Sequence, residues 1–252
     1  MIISTERPDR TWWALTRGNL AAHWPQLLGV QALFAAAGLA VWVLRAGLES
    51  ADLFLAGSVW SAVADGLLAA WSWSTVLRIL DGGHRVGSAL RPDLRRTARL
   101  WGWLVALGGL DQLGLLSLLG PGVYGDLVLS HAMAVFQLAA LYLSFATALL
   151  PMTVVLEGRG LRAAWRLSHG SWRTALQIVA ALVVGGVLAE LAELPQAAAL
   201  SSYPYPVYLP LLQAAGLVLT TFGRVLTAPM LHAAFRLRRP VRTPAADEPA
   251  LI

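Results

Sequence analysis

The sequence predicts an all-α fold: a polytopic membrane helix bundle of six transmembrane helices, built as three two-span repeats with cytoplasmic amphipathic helices. Three observations carry this prediction. Of the 252 residues, 57% are hydrophobic and only 13% are charged, with a mean hydropathy of +0.62. An average soluble domain has about 25% charged residues, so one water-soluble domain cannot cover itself with so few, and disorder is excluded because it needs low hydrophobicity. The second observation is a series of six long apolar runs, and the third is the alternation of arginine-rich and arginine-poor loops between them.

A helix needs about 20 mostly apolar residues to cross a bilayer. The runs are Leu27 to Leu44, Leu53 to Leu77, Leu100 to Gly120, Leu127 to Leu150, Thr174 to Leu194 and Leu211 to Phe235. They form a single domain over residues 1–239, followed by a Pro- and Ala-rich tail at 240–252 that is expected to be disordered and cytoplasmic. No secretory signal is expected, because Glu6 and Asp9 interrupt the start and no short apolar stretch with a cleavage site follows.

All 19 basic residues are arginine. Seventeen of the 19 fall on one side of the predicted topology: before the first run, between the second and third, between the fourth and fifth, and after the sixth. Arg45 lies in an opposite loop and Arg224 inside the sixth run. Moving positive residues across a membrane is unfavourable, so this pattern places both termini in the cytoplasm of a multi-pass cell-membrane protein. A net charge of +5 would also suit a nucleic-acid binder, but short clusters between apolar runs read as orientation signals, and no nucleic acid is expected as partner. Nine of the 11 tryptophans fall near the predicted inner face, while Tyr124, Tyr203, Tyr205 and Tyr208 fall in outer loops. Amphipathic rings favour the headgroup layers.

The chain repeats itself. Residues 13–19 read WALTRGN and residues 165–171 read WRLSHGS, each just before an odd-numbered run. Leu80-Asp81-Gly82 and Leu156-Glu157-Gly158 follow even-numbered runs, and Pro151-Met152 recurs as Pro229-Met230. The units are about 11–81, 90–157 and 161–236. Each holds two spans, so all three point the same way, as parallel repeats do.

Each unit opens on a basic amphipathic segment. Leu161, Trp165, Ser168 and Trp172 share one helical face, and Arg162, Arg166, His169 and Arg173 share the next. In the second unit Pro92 and Asp93 open a helix with Leu94, Ala98 and Trp101 on one side and Arg95, Arg96 and Arg99 on the other. Such a surface suits anionic headgroups, at about 1 kcal/mol per basic residue near the leaflet. The candidate lipid contacts are therefore Arg95, Arg96, Arg99, Arg162, Arg166 and Arg173. The competing expectation is that these segments are plain connectors packed on the bundle.

Charges inside a membrane are functional candidates by default. Asp65 and Arg224 lie at nearly equal depth and are expected to pair, as a structural clasp or as a relay; Asp111 is an alternative partner. Glu190, Glu193 and His131 form only a weak metal pattern, and His232 is expected to face the headgroups. GGHRVG at 82–87 lacks the Lys-Ser/Thr of a phosphate loop and reads as a turn. There is no GxSxG nucleophile motif, and the absence of cysteine removes disulfides, thiolate metal sites and cysteine catalysis. Ala181, Gly185 and Ala189 form a small-residue face for close helix packing. Pro151 and Pro229 are expected to bend their spans.

The stretch PMTVVLEGRGLRAAWRLSHGSW, Pro151 to Trp172, resembles bacterial multi-pass proteins grouped with the glycerophosphoryl diester phosphodiesterase membrane domain and related domains of unknown function. Pro151, Glu157, Gly158, Trp165, Leu167 and Gly170 carry the likeness, and Ala164 stands where the pattern has Ser. The resemblance covers roughly residues 12–239 and implies the fold. Some relatives add a phosphodiesterase barrel, which needs about 250 residues, so the diesterase activity is not carried over. The expectation is a non-enzymatic scaffold, lipid-binding or accessory module without cofactor or metal. It would act with the bilayer, and with a membrane-protein partner or in a homo-oligomer. The alternative is a small transporter or permease using Asp65, Asp111 and Arg224.

Overall fold

The computed structural model describes residues 11–50, 53–111, 131–200 and 209–238. Among these residues all regular structure is helical: α1 (Trp12–Ser50), α2 (Phe54–Gly82), α3 (Val86–Ala89), α4 (Leu94–Asp111), α5 (His131–Thr147), α6 (Leu150–Val155), α7 (Leu161–His169), α8 (Trp172–Leu200) and α9 (Leu209–Arg238). Four segments are long and apolar enough to cross a membrane: Trp12–Arg45, Leu138–Val155, Trp172–Pro195 and Leu211–Arg238. By length and composition this is the fold of a membrane protein. α2 is 29 residues long, a sufficient length for a crossing. α4 begins on three arginines and its expected continuation lies outside the described residues, as do the 201–208 loop and the 240–252 tail.

The helices close into a ring. α8 packs on α9, α9 on α1, α1 on α2 and α2 on α4, while α5 touches α7 and α8. Small residues set the closest approaches. A side chain on Gly185 would meet Thr227 Oγ1 at 3.0 Å, and the expected small-residue face of α8 does lie on α9. Gly66 plays the same part on α2, where an added Cβ would lie 2.8 Å from Val105 of α4.

Two apolar clusters fill the interior. One joins Leu27, Val30 and Phe34 of α1 to Val76 and Ile79 of α2 and to Val225 and Ala228 of α9. The other gathers Leu77, Leu100, Ile178 and Phe235 around α6, whose six residues are all buried. Met152 and Met230, partners in the repeated Pro-Met pair, meet in this second cluster.

The two prolines behave differently. Pro151 has no N–H to return to Thr147, and the chain breaks there, ending α5 at Thr147 and restarting as α6. Pro229 is accommodated inside an unbroken α9. The three basic segments differ as well. Only α7 is a separate short helix; WALTRGN is the opening of the 39-residue α1, and Arg95, Arg96 and Arg99 lie in the first turns of α4.

Candidate functional site

The helix ends that carry the arginines converge on one end of the bundle. Trp12 Nε1 donates to the Met230 carbonyl at 2.9 Å, tying the start of α1 to α9. At the end of α2, Gly83 takes a left-handed φ of 59°, which stops the helix and leaves Asp81 facing α9. Arg236 Nη2 lies 2.5 Å from Asp81 Oδ1 as a charge contact, and His232 Nε2 lies 3.6 Å from the same oxygen. Asn19 Nδ2 is 3.2 Å from His232 Nδ1. With Asn19 donating to Nδ1, the ring proton belongs on Nε2, which is buried and stands beyond hydrogen-bond distance of the carboxylate. This corrects the expectation for His232: the ring is 2% exposed and faces Asn19 and Asp81, not headgroups. The only sequence signal was the repeated Leu-Asp/Glu-Gly, which marks Asp81 without naming its partners.

A second network crosses from α4 to α6. Arg96 Nη1 donates to the Val155 carbonyl at 2.7 Å, and Arg99 Nη1 to the Gly158 carbonyl at 2.7 Å. Gly158 is left-handed at φ 68°, and its N–H returns to Val154 O at 3.1 Å. Both guanidinium groups thus satisfy carbonyls that the end of α6 leaves open. Two of the six candidate lipid contacts are used inside the protein. The i, i+3 spacing of Arg96 and Arg99 lets both reach α6 together, while Arg95 is exposed beside them. Arg162, Arg166 and Arg173 are also exposed, and the Arg173 guanidinium sits 5.8 Å from the centre of the Trp172 ring.

α7 is anchored to α5 by aromatic rings. His169 stacks on Trp165 at 4.9 Å, lies edge-on to Phe145 at 5.3 Å and meets the Tyr142 hydroxyl at 3.1 Å. Ala164 and Ser168 form its buried side, so the expected Trp165 stripe is rotated toward the α5 flank.

Two cavities open at this end. The first, about 460 Å³, brings Arg78, Arg91 and Arg96 together with Asp81 and Asp93. GGHRVG contributes Gly82 and His84 to its rim; Gly83, His84 and Arg85 link α2 to α3, which takes up Val86 and Gly87, so only the middle of the expected turn is non-helical. The second, about 440 Å³, lies where the start of α8 meets the end of α9 and the start of α1.

The charges expected inside the membrane do not come together. Asp65 is exposed and accepts a hydrogen bond from Ser61 Oγ at 2.8 Å, one turn back on its own helix. Arg224 is exposed on α9, and among the described residues no ion pair joins the two. α2 and α9 do meet, but through Asp81 and Arg236 at the arginine-bearing end, and at the level of Asp65 it is Gly66 that faces a neighbour, α4. Asp111 ends α4, and its side chain lies outside the described residues, like that of His131. Glu190 and Glu193 are exposed. Among the described residues no three His, Cys, Asp or Glu side chains group as a metal site.

No protein-family model, no curated protein and no solved structure matches this chain.

Proposed function

We propose that this protein is a non-enzymatic, six-span module of the cell membrane that holds anionic lipid at its cytoplasmic face and serves as a scaffold or accessory to a membrane partner. The likeness of Pro151–Trp172 to the glycerophosphoryl diester phosphodiesterase membrane domain, and three two-span units, belong to this reading. One observation carries it: the arginine-bearing helix ends form one latched surface. Arg96, Arg99 and Arg236 are held by the protein's own oxygens, while Arg95, Arg162, Arg166 and Arg173 stay exposed beside them. A fixed basic surface at a membrane boundary attracts anionic headgroups by charge, and tryptophan supplies the apolar anchor. The alternative reading is a small transporter or permease using Asp65, Asp111 and Arg224.

The chain has no cysteine, so single-cysteine variants report directly. On intact cells an impermeant maleimide should label Glu190→Cys, and should label Leu237→Cys only after permeabilisation. Labelling of Leu237→Cys from outside refutes the orientation. Native mass spectrometry should show phosphatidylglycerol retained over phosphatidylcholine; equal retention refutes the lipid role.

A further inference from the structure

The second cavity differs from the first in its charge balance. Arg173 and Arg238 line it together with Ser171, Thr174, Gln177 and Trp12, and no carboxylate does so among the described residues. In the first cavity two aspartates stand among the arginines.

Arg238 is held in place. Its Nε donates to Thr174 Oγ1 at 2.8 Å, joining the last turn of α9 to the first turn of α8. Gly170 makes room for the guanidinium, since an added Cβ would lie 3.4 Å from Nη2 and 2.9 Å from the Arg166 carbonyl. Nη2 itself is buried with no acceptor among the described residues. A buried charged donor left without an acceptor is unfavourable, so an anionic oxygen in the cavity would stabilise this arrangement. Other donors converge there. Thr174 accepts through Oγ1 and keeps its hydroxyl proton to give, and the Ser171 hydroxyl and the Gln177 carboxamide line the same space. The opening turn of α8 carries no acidic residue to occupy its free N–H groups. The volume lies within the roughly 300–1,000 Å³ of small-molecule sites, and a guanidinium fork matches phosphate oxygens.

We propose that this cavity binds a phosphate group, carried by an anionic lipid headgroup or free in solution, with Arg238 as its fixed ligand and Arg173 as the mobile one. The proposal draws on the anionic-lipid reading above only for the source of the phosphate.

The full chain, reconstituted in phosphatidylcholine nanodiscs with or without phosphatidylglycerol, is heated with inorganic phosphate or with chloride at equal ionic strength. A rise in the melting midpoint with phosphate in phosphatidylcholine alone assigns the free ion. A rise only with phosphatidylglycerol assigns the headgroup. Arg238→Gln should weaken the apparent affinity for the active probe by about tenfold or more, the loss of one charge-assisted contact. Arg85→Gln, an equal change of charge at an exposed residue that lines neither cavity, should stay within about twofold. Thr174→Val retains the guanidinium but removes its anchor, and should weaken binding as well if Arg238→Gln does not fold. No rise with either probe, equal losses in Arg238→Gln and Arg85→Gln, or undiminished binding in Thr174→Val overturns the site. Phosphatidylglycerol retention that is indifferent to Arg238 overturns the site alone and leaves the broader lipid reading standing.

Discussion

Arg99 of α4 holds the carbonyl of Gly158 at 2.7 Å, and Gly158 is the left-handed residue on which the chain turns from α6 toward α7. One guanidinium therefore fixes a turn 59 residues further along the chain, beside the Arg96 bonds to the end of α6.

Replacing Arg96 by Ala should cost about 1 kcal/mol, since a charged hydrogen bond is lost and the Val155 carbonyl is left open, with a discount because the side chain is 46% exposed. Arg99→Ala should cost about 1 kcal/mol, discounted because Arg99 is exposed. Arg95→Ala should change stability by less than about 0.5 kcal/mol. Thermal midpoints in one detergent rank the three variants, and an Arg95 effect as large as that of Arg96 contradicts the network.

Gly158→Ala places a Cβ on a residue at φ 68°. The left-handed region costs an L-residue roughly 1–2 kcal/mol, and nothing else lies within 4 Å to clash. The midpoint should fall by that amount with spectroscopic helix content unchanged. A stability equal to that of the parent chain argues against the turn.

Asp81 and Arg236 should be energetically coupled. Their side chains are 28% and 40% exposed, so the coupling is expected at about 1 kcal/mol, below that of a fully buried pair. A double-mutant cycle of Asp81→Asn with Arg236→Gln measures it. His232→Ala should destabilise further by leaving Asn19 Nδ2 without its ring partner.

Asp65 and Arg224 should behave as strangers. The structure pairs Asp65 with Ser61 instead, so Asp65→Asn and Arg224→Gln should combine additively to within about 0.5 kcal/mol. Restored yield in the double variant would bring the clasp back.

Several of these features were legible in the residues. Apolar runs of sufficient length give α1, α8 and α9. Periodicity also placed Arg95, Arg96 and Arg99 along one side of a helix. It does not say which arginine finds a carbonyl, because that depends on where α6 ends, and α6 begins at a break that one proline makes and another does not. Depth along a helix suggests Asp65 with Arg224, but depth carries no angular information, and α2 and α9 meet through Asp81 and Arg236 instead. His232 was misplaced for a related reason: its partners Asn19 and Asp81 come from helices far away in the chain, and no local pattern encodes them.

The bond from Trp12 to Met230 has a consequence for biogenesis. α1 leaves the ribosome well before α9, yet α9 supplies Val225 and Ala228 to the cluster in which Leu27, Val30 and Phe34 are buried. The earliest helix must therefore wait, partly uncovered, until translation reaches its latest neighbour, and the ring can shut only near the end of synthesis.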